Sequence, residues 1–223
     1  MEVYVLSAKR SPIGKFGGVF RNVSPVDLAV QVARGAIDEA RIDPSLVDIS
    51  VFGNVIRGLQ GQDIARQIAI KAGVPYQKDG FSVDMVCSSG MMSLIVAENM
   101  IRNGDADLVL AGGTESMSQA PYCLRGNVRW GVKMLLNESL KLEDEMLVDG
   151  LVDPFNGMVM GQEADMVAKE LGYQRSSLDE VAFESHMRAA KATDAGLFRN
   201  EIVPINAGNM TVSSDEGIRR DTS

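Results

Sequence analysis

The chain has 223 residues, 45% hydrophobic and 23% charged, which suits one large domain or two small ones with a sizeable core. Its formal net charge of −8 and sequence pI near 4.8 argue against nucleic acid or an anionic membrane as the main partner. The apolar runs fall far short of a membrane span, the first six residues are too short and wrongly flanked for a signal peptide, and two irregularly spaced cysteines point to the reducing cytosol.

Residues 3–7 form a short β-rich opening, followed by Lys9-Arg10-Ser11-Pro12-Ile13-Gly14-Lys15-Phe16-Gly17-Gly18. Its glycines in a basic loop could suggest phosphate binding, but the spacing fits neither a P-loop nor a dinucleotide fingerprint. Ser24-Pro25-Val26-Asp27 reads as a helix start with a cap, a first-turn proline and an early acid. Val26, Ala29, Val30, Ala33, Ala36, Ile37 and Ala40 then recur at helical spacing. After the break at Asp43-Pro44, residues 49–55 read as a strand and 63–72 as a short helix stopped by Gly73 and Pro75.

The stretch that organises the chain is Ser82-Val83-Asp84-Met85-Val86-Cys87-Ser88-Ser89-Gly90-Met91-Met92. Residues 83–86 end a buried strand, 88–102 form a helix, and Cys87 sits at the joint. Apolar residues on nearly every side of that helix predict a buried one. A cysteine at a helix N-terminus lies beside unpaired N–H groups and the positive end of the dipole, which favour anionic sulfur and suit a nucleophile. Inert packing is the other reading of the strand–Cys–helix pattern.

Residues 106–111 read as a further strand, followed by Gly112-Gly113-Thr114-Glu115-Ser116-Met117-Ser118. Strands and helices alternating over 3–111 argue for an α/β fold, a mostly parallel sheet with helices on both faces. Sites in such sheets lie outside the carboxyl ends of the strands, where Cys87 and Gly112-Gly113 fall. Glu115 could serve as a general base, and a structural role is the alternative.

From 119 to 161 the pattern loosens under Pro121, Gly126, Gly131, Gly150, Pro154 and Gly157, as in a long functional insertion. Cys123 lies there without a helix head or basic partner and reads as structural. Met160-Gly161-Gln162 opens a helix to Leu171, and Ser177 with Glu180 forms a capping box for the next. His186, the one histidine, falls mid-helix among charged neighbours and reads as solvated; a lone histidine with two dispersed cysteines makes a metal site improbable.

Several of these stretches resemble the thiolase family in the family's order. Val86-Cys87-Ser88-Ser89-Gly90-Met91 is similar to its nucleophilic-cysteine motif, and Arg10-Ser11-Pro12-Ile13-Gly14 with Phe16-Gly17-Gly18 to its opening segment. Gly112-Gly113-Thr114-Glu115-Ser116-Met117-Ser118, Asp149-Gly150-Leu151 with Asp153-Pro154-Phe155, Met160-Gly161, Phe198 with Glu201-Ile202 and Pro204, and Asp215-Glu216 with Ile218-Arg219 follow suit. The resemblance, nearest the acetyl-CoA acetyltransferase type, implies a thiolase-like fold divided as 1–118, an N-terminal domain carrying the nucleophile, and 119–223, an irregular α-rich loop domain that covers CoA and assists assembly.

By the same resemblance, Cys87 is the catalytic nucleophile that carries the acyl group as a thioester, Met160 lines the acyl pocket, and Arg219 packs on the CoA adenine. A core methionine and a solvated arginine are the plainer alternatives for the last two. Glu115 is structural on this basis, because the family places its proton-transfer groups elsewhere. CoA thioesters enter as substrate and product, with no metal or resident cofactor. The family's second half, with its asparagine, G-H-P histidine and C-x-G-G-G cysteine, is not among these residues. The expected partner is therefore a complementary chain carrying that half, in a tetramer-like hetero-oligomer of the cytoplasm. A 3-ketoacyl-CoA thiolase of fatty-acid degradation, an inactive fragment and an acyl-CoA-binding module are the alternatives.

Overall fold

A computed structural model describes residues 2–131 and 141–222. Strand β1 (Ile49–Gly53) lies between β2 (Asp79–Val83) and β3 (Val109–Gly113), all parallel. The register sets Gly53 opposite Val83 on one side and Gly113 on the other, so the three strands end level. From β1 the chain passes through α2 (Ile64–Ala72) to β2, then back through α3 (Ser89–Asn103) to β3. Because such crossovers are right-handed, reversing direction puts α2 and α3 on opposite faces of the sheet. The reversal also makes the carboxyl end of β1 the place where a crevice opens.

Helix α1 (Pro25–Ala40) forms as its sequence predicts. Ser24 accepts a hydrogen bond from Asp27 N at 3.0 Å, Pro25 occupies the first turn, and Arg41 ends the helix in the left-handed region. Its Val26, Ala29, Val30, Ala33 and Ile37 pack with Ile64, Ala65, Ile68 and Ala72 of α2 and with Phe52 of β1. That cluster is the main core of the layer.

Helix α3, expected to be buried in a complete enzyme and to leave an apolar patch open in this chain alone, is covered on one face. It docks on the sheet through small residues at four-residue spacing, Ser89, Ser93 and Ala97, while Met91 (63% exposed), Leu94 (51%) and Ile95 (43%) face outward. The buried Ser93 hydroxyl lies 2.7 Å from both Gly90 O and Gly112 O, fastening helix to strand. The helix is thus apolar all round with one face covered, and the other face is an unfilled apolar stripe.

Residues 3–7 differ from the predicted opening strand. They join no ladder, and Tyr4 and Val5 are 71% and 82% exposed. A strand needs a neighbour to take its N–H and C=O groups, and only Arg10, bonded to Glu201 O and Val203 N at 2.9 Å, finds one.

The later region holds a short antiparallel pair, β4 (Tyr122–Cys123) with β5 (Glu143–Asp144), a π-helical turn at Met146–Leu151, α4 (Met160–Glu170) and α5 (Arg175–Asp194). The part of the loosely structured insertion at 132–140 lies outside the described residues. The capping box at Ser177 does not form: the cap falls three residues earlier, at Gln174, and α5 starts at Arg175. A closing hairpin, β6 (Ile205–Ala207) and β7 (Met210–Val212), seats the fully buried Ile205 against Phe20 and Leu28.

Beyond it, Asp215 and Glu216 answer the question raised by the glycine-rich loop. Asp215 accepts from Arg10 Nη1 and Nη2 at 2.7 and 3.1 Å and from Ile13 N at 2.8 Å, and Glu216 accepts from Lys15 N and Val19 N at 2.9 and 3.1 Å. The loop's N–H groups serve the chain's own carboxylates rather than a phosphate. Phe198 lies under the Arg10 guanidinium, 5.2 Å from it.

Burial opposes ionisation of Asp215, yet the hydrogen bonds from Arg10 and Ile13 N, with the Arg10 charge, hold its carboxyl below the ordinary value. A depressed folded value means stability present above the unfolded value of about 3.9 and lost as pH falls through the folded one. Asp215→Asn should therefore cost about 2 kcal/mol near pH 7, the scale of charged hydrogen bonds. Melting curves of both proteins from neutral pH downward should converge in acid; a gap independent of pH contradicts this account.

Candidate active site

Between β2 and α3 the chain turns sharply at Asp84-Met85-Val86-Cys87-Ser88. Val86 has φ +50°, a conformation rare for a β-branched residue. Its neighbours hold it there. Asp84 accepts from Val86 N and from Arg57 Nη2, each at 2.9 Å. The buried Ser89 hydroxyl accepts from Met85 N at 2.8 Å and donates to Val86 O at 2.6 Å. Ser88 N and Ser89 N donate back to Met85 O and Val86 O at 3.1 and 3.0 Å. Fewer open N–H groups therefore stand at this helix head than its sequence suggests. Strain fixed by several contacts next to a reactive side chain is typical of active sites. The outcome here is an exposed Cys87, one residue before the α3 cap.

The thiol borders an open cleft of about 430 Å³ at the level ends of the strands, whose lining includes Asn54, Ile56, Glu115, Met117 and Leu151. Two glycines let α3 stand this close. A Cβ on Gly53 would run into the backbone of Ser89 and Gly90, and one on Gly113 would lie 3.1 Å from Gly90 Cα. Gly53 and Gly113 thus make room for the helix that carries Cys87.

Behind the cleft, Glu115 acts as a clamp. Its carboxylate accepts from Asn54 Nδ2 at 2.7 Å, Val55 N at 2.9 Å and Ile56 N at 3.3 Å, tying the end of β1 to the end of β3. Burial pushes its carboxyl above the ordinary value, against the bonds from Val55 and Ile56. With three donors on its oxygens, Glu115 is built as a structural anchor, which is the alternative its sequence context favours. The fully buried Asn54 also donates to Thr114 O at 3.1 Å, and its Oδ1 has no hydrogen-bond partner among the described residues. Sequence reasoning passed over Asn54, although a buried amide just past the glycine that ends a strand is a usable signal.

The other sequence-predicted residues lie apart from Cys87. Met160, partly exposed at the first turn of α4, is not in the lining of the cleft. Arg219, itself exposed, lies on the C-terminal segment against His186, so the ring is half-exposed and partnered rather than wholly solvated. His186, the chain's one histidine, is not in the lining of the cleft that Cys87 borders. Both cysteines are free, and Cys123 is half-buried in β4. No group of three or more His, Cys, Asp or Glu among the described residues could hold a metal ion, and no described helix is long and apolar enough to cross a membrane. The arrangement offers one exposed thiol at a helix head over an open cleft, suited to attack on an electrophilic carbonyl.

Comparison with known proteins matches residues 3–223 to the family model described as thiolase, N-terminal domain. An acetyl-CoA acetyltransferase of Synechocystis is 46% identical, over 100% of this chain and 57% of that protein. A probable acetyl-CoA acyltransferase of Staphylococcus epidermidis is 39% identical, over 99% and 56%. The crystal structure of the Bacillus anthracis acetyl-CoA acetyltransferase superposes with a TM-score of 0.90 at 35% identity, covering 98% of this chain and 55% of that one. The chain spans about half the length of the relatives it matches.

Proposed function

The chain belongs to the thiolase family, and from that premise we propose that it is the nucleophile-bearing subunit of a split acetyl-CoA C-acetyltransferase, completed by a second chain with the other half. The observation that carries this reading is the exposed Cys87, fixed by a strained turn at the head of α3 beside an open cleft. In the proposed first step the Cys87 thiolate adds to the carbonyl carbon of acetyl-CoA. A base, which we assign to the second half, takes the Cys87 thiol proton. As the tetrahedral oxyanion collapses, the new sulfur–acyl bond remains and the bond to the CoA sulfur breaks. That base returns the proton, so that CoA leaves as its thiol. The Cys87 backbone N–H is a proposed donor to that oxyanion. Condensation then requires a base to take a proton from a second acetyl-CoA and donors to hold its enolate. We assign both to the second half, with acetoacetyl-CoA as product and thiolysis as the reverse.

Met160 and Arg219 are proposed contacts to the acyl end and the adenine end of CoA. The outward Met91, Leu94 and Ile95 of α3 support a partner on that face, within a tetramer-like hetero-oligomer. Two free cysteines fit a reducing compartment, which we take to be the cytosol. The likeness to a probable acetyl-CoA acyltransferase favours, as a second reading, a thiolase acting on longer 3-ketoacyl-CoA.

Native mass spectrometry of the protein from its own cells tests the proposal. A second polypeptide of similar size, bearing the histidine and glycine-rich cysteine motifs, is the expected companion. A chain isolated alone, with no such partner, sinks the split-enzyme reading.

A further inference from the structure

The turn that presents Cys87 carries a charge of its own. Asp84 Oδ1 accepts from Val86 N at 2.9 Å and so holds the left-handed residue next to the nucleophile. A carboxylate suits this task, because a charged acceptor makes a bond roughly twice as strong as a neutral one. It also places a negative charge on the turn from which a thiolate must emerge. Such a charge disfavours the thiolate and repels an anionic reagent. Its field reaches across the cleft to Glu115, the charged residue of the lining. Burial most of all, with the Asp84 charge adding to it, pushes the Glu115 carboxyl above its ordinary value.

Arg57 answers that charge. Its Nη2 donates to Asp84 Oδ2 at 2.9 Å, the oxygen that Val86 N leaves open, and its Nε donates to Asn54 O at 3.3 Å, just past the end of β1. The guanidinium is thereby anchored to the strand and aimed at one carboxylate. The two side chains are 50% and 37% exposed, and an ion pair so exposed adds little to stability. What it changes is the field at the cysteine turn. We propose that Arg57 is a positioning residue acting through Asp84: it lets a carboxylate hold the turn while cancelling the negative charge that would otherwise face the Cys87 thiolate and an anionic acyl-CoA. The proposal rests on reading Cys87 as the nucleophile.

Alkylation of Cys87 by two reagents of different charge tests this on the full chain. With iodoacetamide or iodoacetate the sulfur bonds to carbon and iodide leaves, but only iodoacetate is an anion. A loosened turn or a changed thiolate fraction alters both rates together, so their ratio reads the charge near the sulfur. Peptide mapping keeps residue 87 apart from Cys123. At low salt, Arg57→Gln should lower the iodoacetate-to-iodoacetamide ratio about threefold, the scale of one unit charge acting through water over several ångströms. Asp84→Asn, which keeps an acceptor for Val86 N, should raise the ratio by about as much. Arg57→Lys, and Arg57→Gln combined with Asp84→Asn, should each return it close to its original value. In about 1 M salt the differences should vanish. If Asp84→Asn fails to fold, Arg57→Gln and Arg57→Lys decide alone. A ratio unmoved by Arg57→Gln, a double variant no better than Arg57→Gln, or a gap that persists in salt overturns the proposal. Each of these leaves the thiolase reading standing, because acetylation of Cys87 decides that reading separately.

Discussion

Replacing Cys87 with alanine should abolish acyl transfer to the chain, a loss of at least about 10³-fold in the rate of acyl-enzyme formation, as befits removal of a nucleophile. The fold should survive. The side chain is exposed, and the turn around it is held by Asp84, Ser89 and the backbone rather than by sulfur. Its stability should stay within about 0.5 kcal/mol of the original, as for other surface substitutions. Incubation of the chain, paired with its complementary half, with acetyl-CoA and mass spectrometry of the intact polypeptides should show one acetyl group on the original chain and none on the variant. Peptide mapping should place that group on residue 87. Cys123→Ala supplies the control: this half-buried thiol in β4 lies outside the cleft, so labelling should persist. Acetylation that survives in Cys87→Ala, or disappears in Cys123→Ala, would remove Cys87 from its assigned role.

What could be read from the sequence was what neighbouring residues decide. The cap, proline and apolar spacing of α1 are local signals, and α1 forms between the residues they mark. The joint at Cys87 and the glycines ending β3 are likewise visible in a few consecutive residues, and the level strand ends bring them to one crevice. What escaped depends on contacts between distant segments. The apolar surround of α3 says that both its faces want cover, not that the cover lies within these residues; Ser93 and Ala97 find the sheet while Met91 and Leu94 stay largely exposed. Residues 3–7 have strand composition but, among the described residues, no adjacent strand to complete it. His186 looks solvated within α5, and only a segment 33 residues later gives it a partner. Asn54 and Glu115 meet across 61 positions, a pairing that spacing along the chain does not announce. The glycine-rich loop shows the same limit from the other side: its N–H groups did want anions, and the chain supplies them itself from Asp215 and Glu216.

A sharper consequence follows from how α3 sits on the sheet. Gly53→Ala should destabilise the chain by about 2–3 kcal/mol, the cost of overpacking a filled interior. The added methyl would meet the Ser89 carbonyl carbon and Gly90 N, which are backbone atoms of the first turn of α3 and cannot rotate aside as a side chain would. At about 2–4 °C per kcal/mol for a chain of this size, the melting temperature should drop by roughly 5–10 °C. The displacement falls on the turn that holds Cys87, so acetylation should slow even at temperatures where the variant is folded. Gly90→Ala makes the comparison decisive, because its Cβ would enter open space within the same helical turn. There the higher helix propensity of alanine should raise stability by up to about 1 kcal/mol. Two glycine-to-alanine changes facing each other across one contact should thus move the melting temperature in opposite directions. Equal shifts would mean that α3 does not rest on Gly53, and that the closeness of β1 to the cysteine turn is not what fixes the nucleophile.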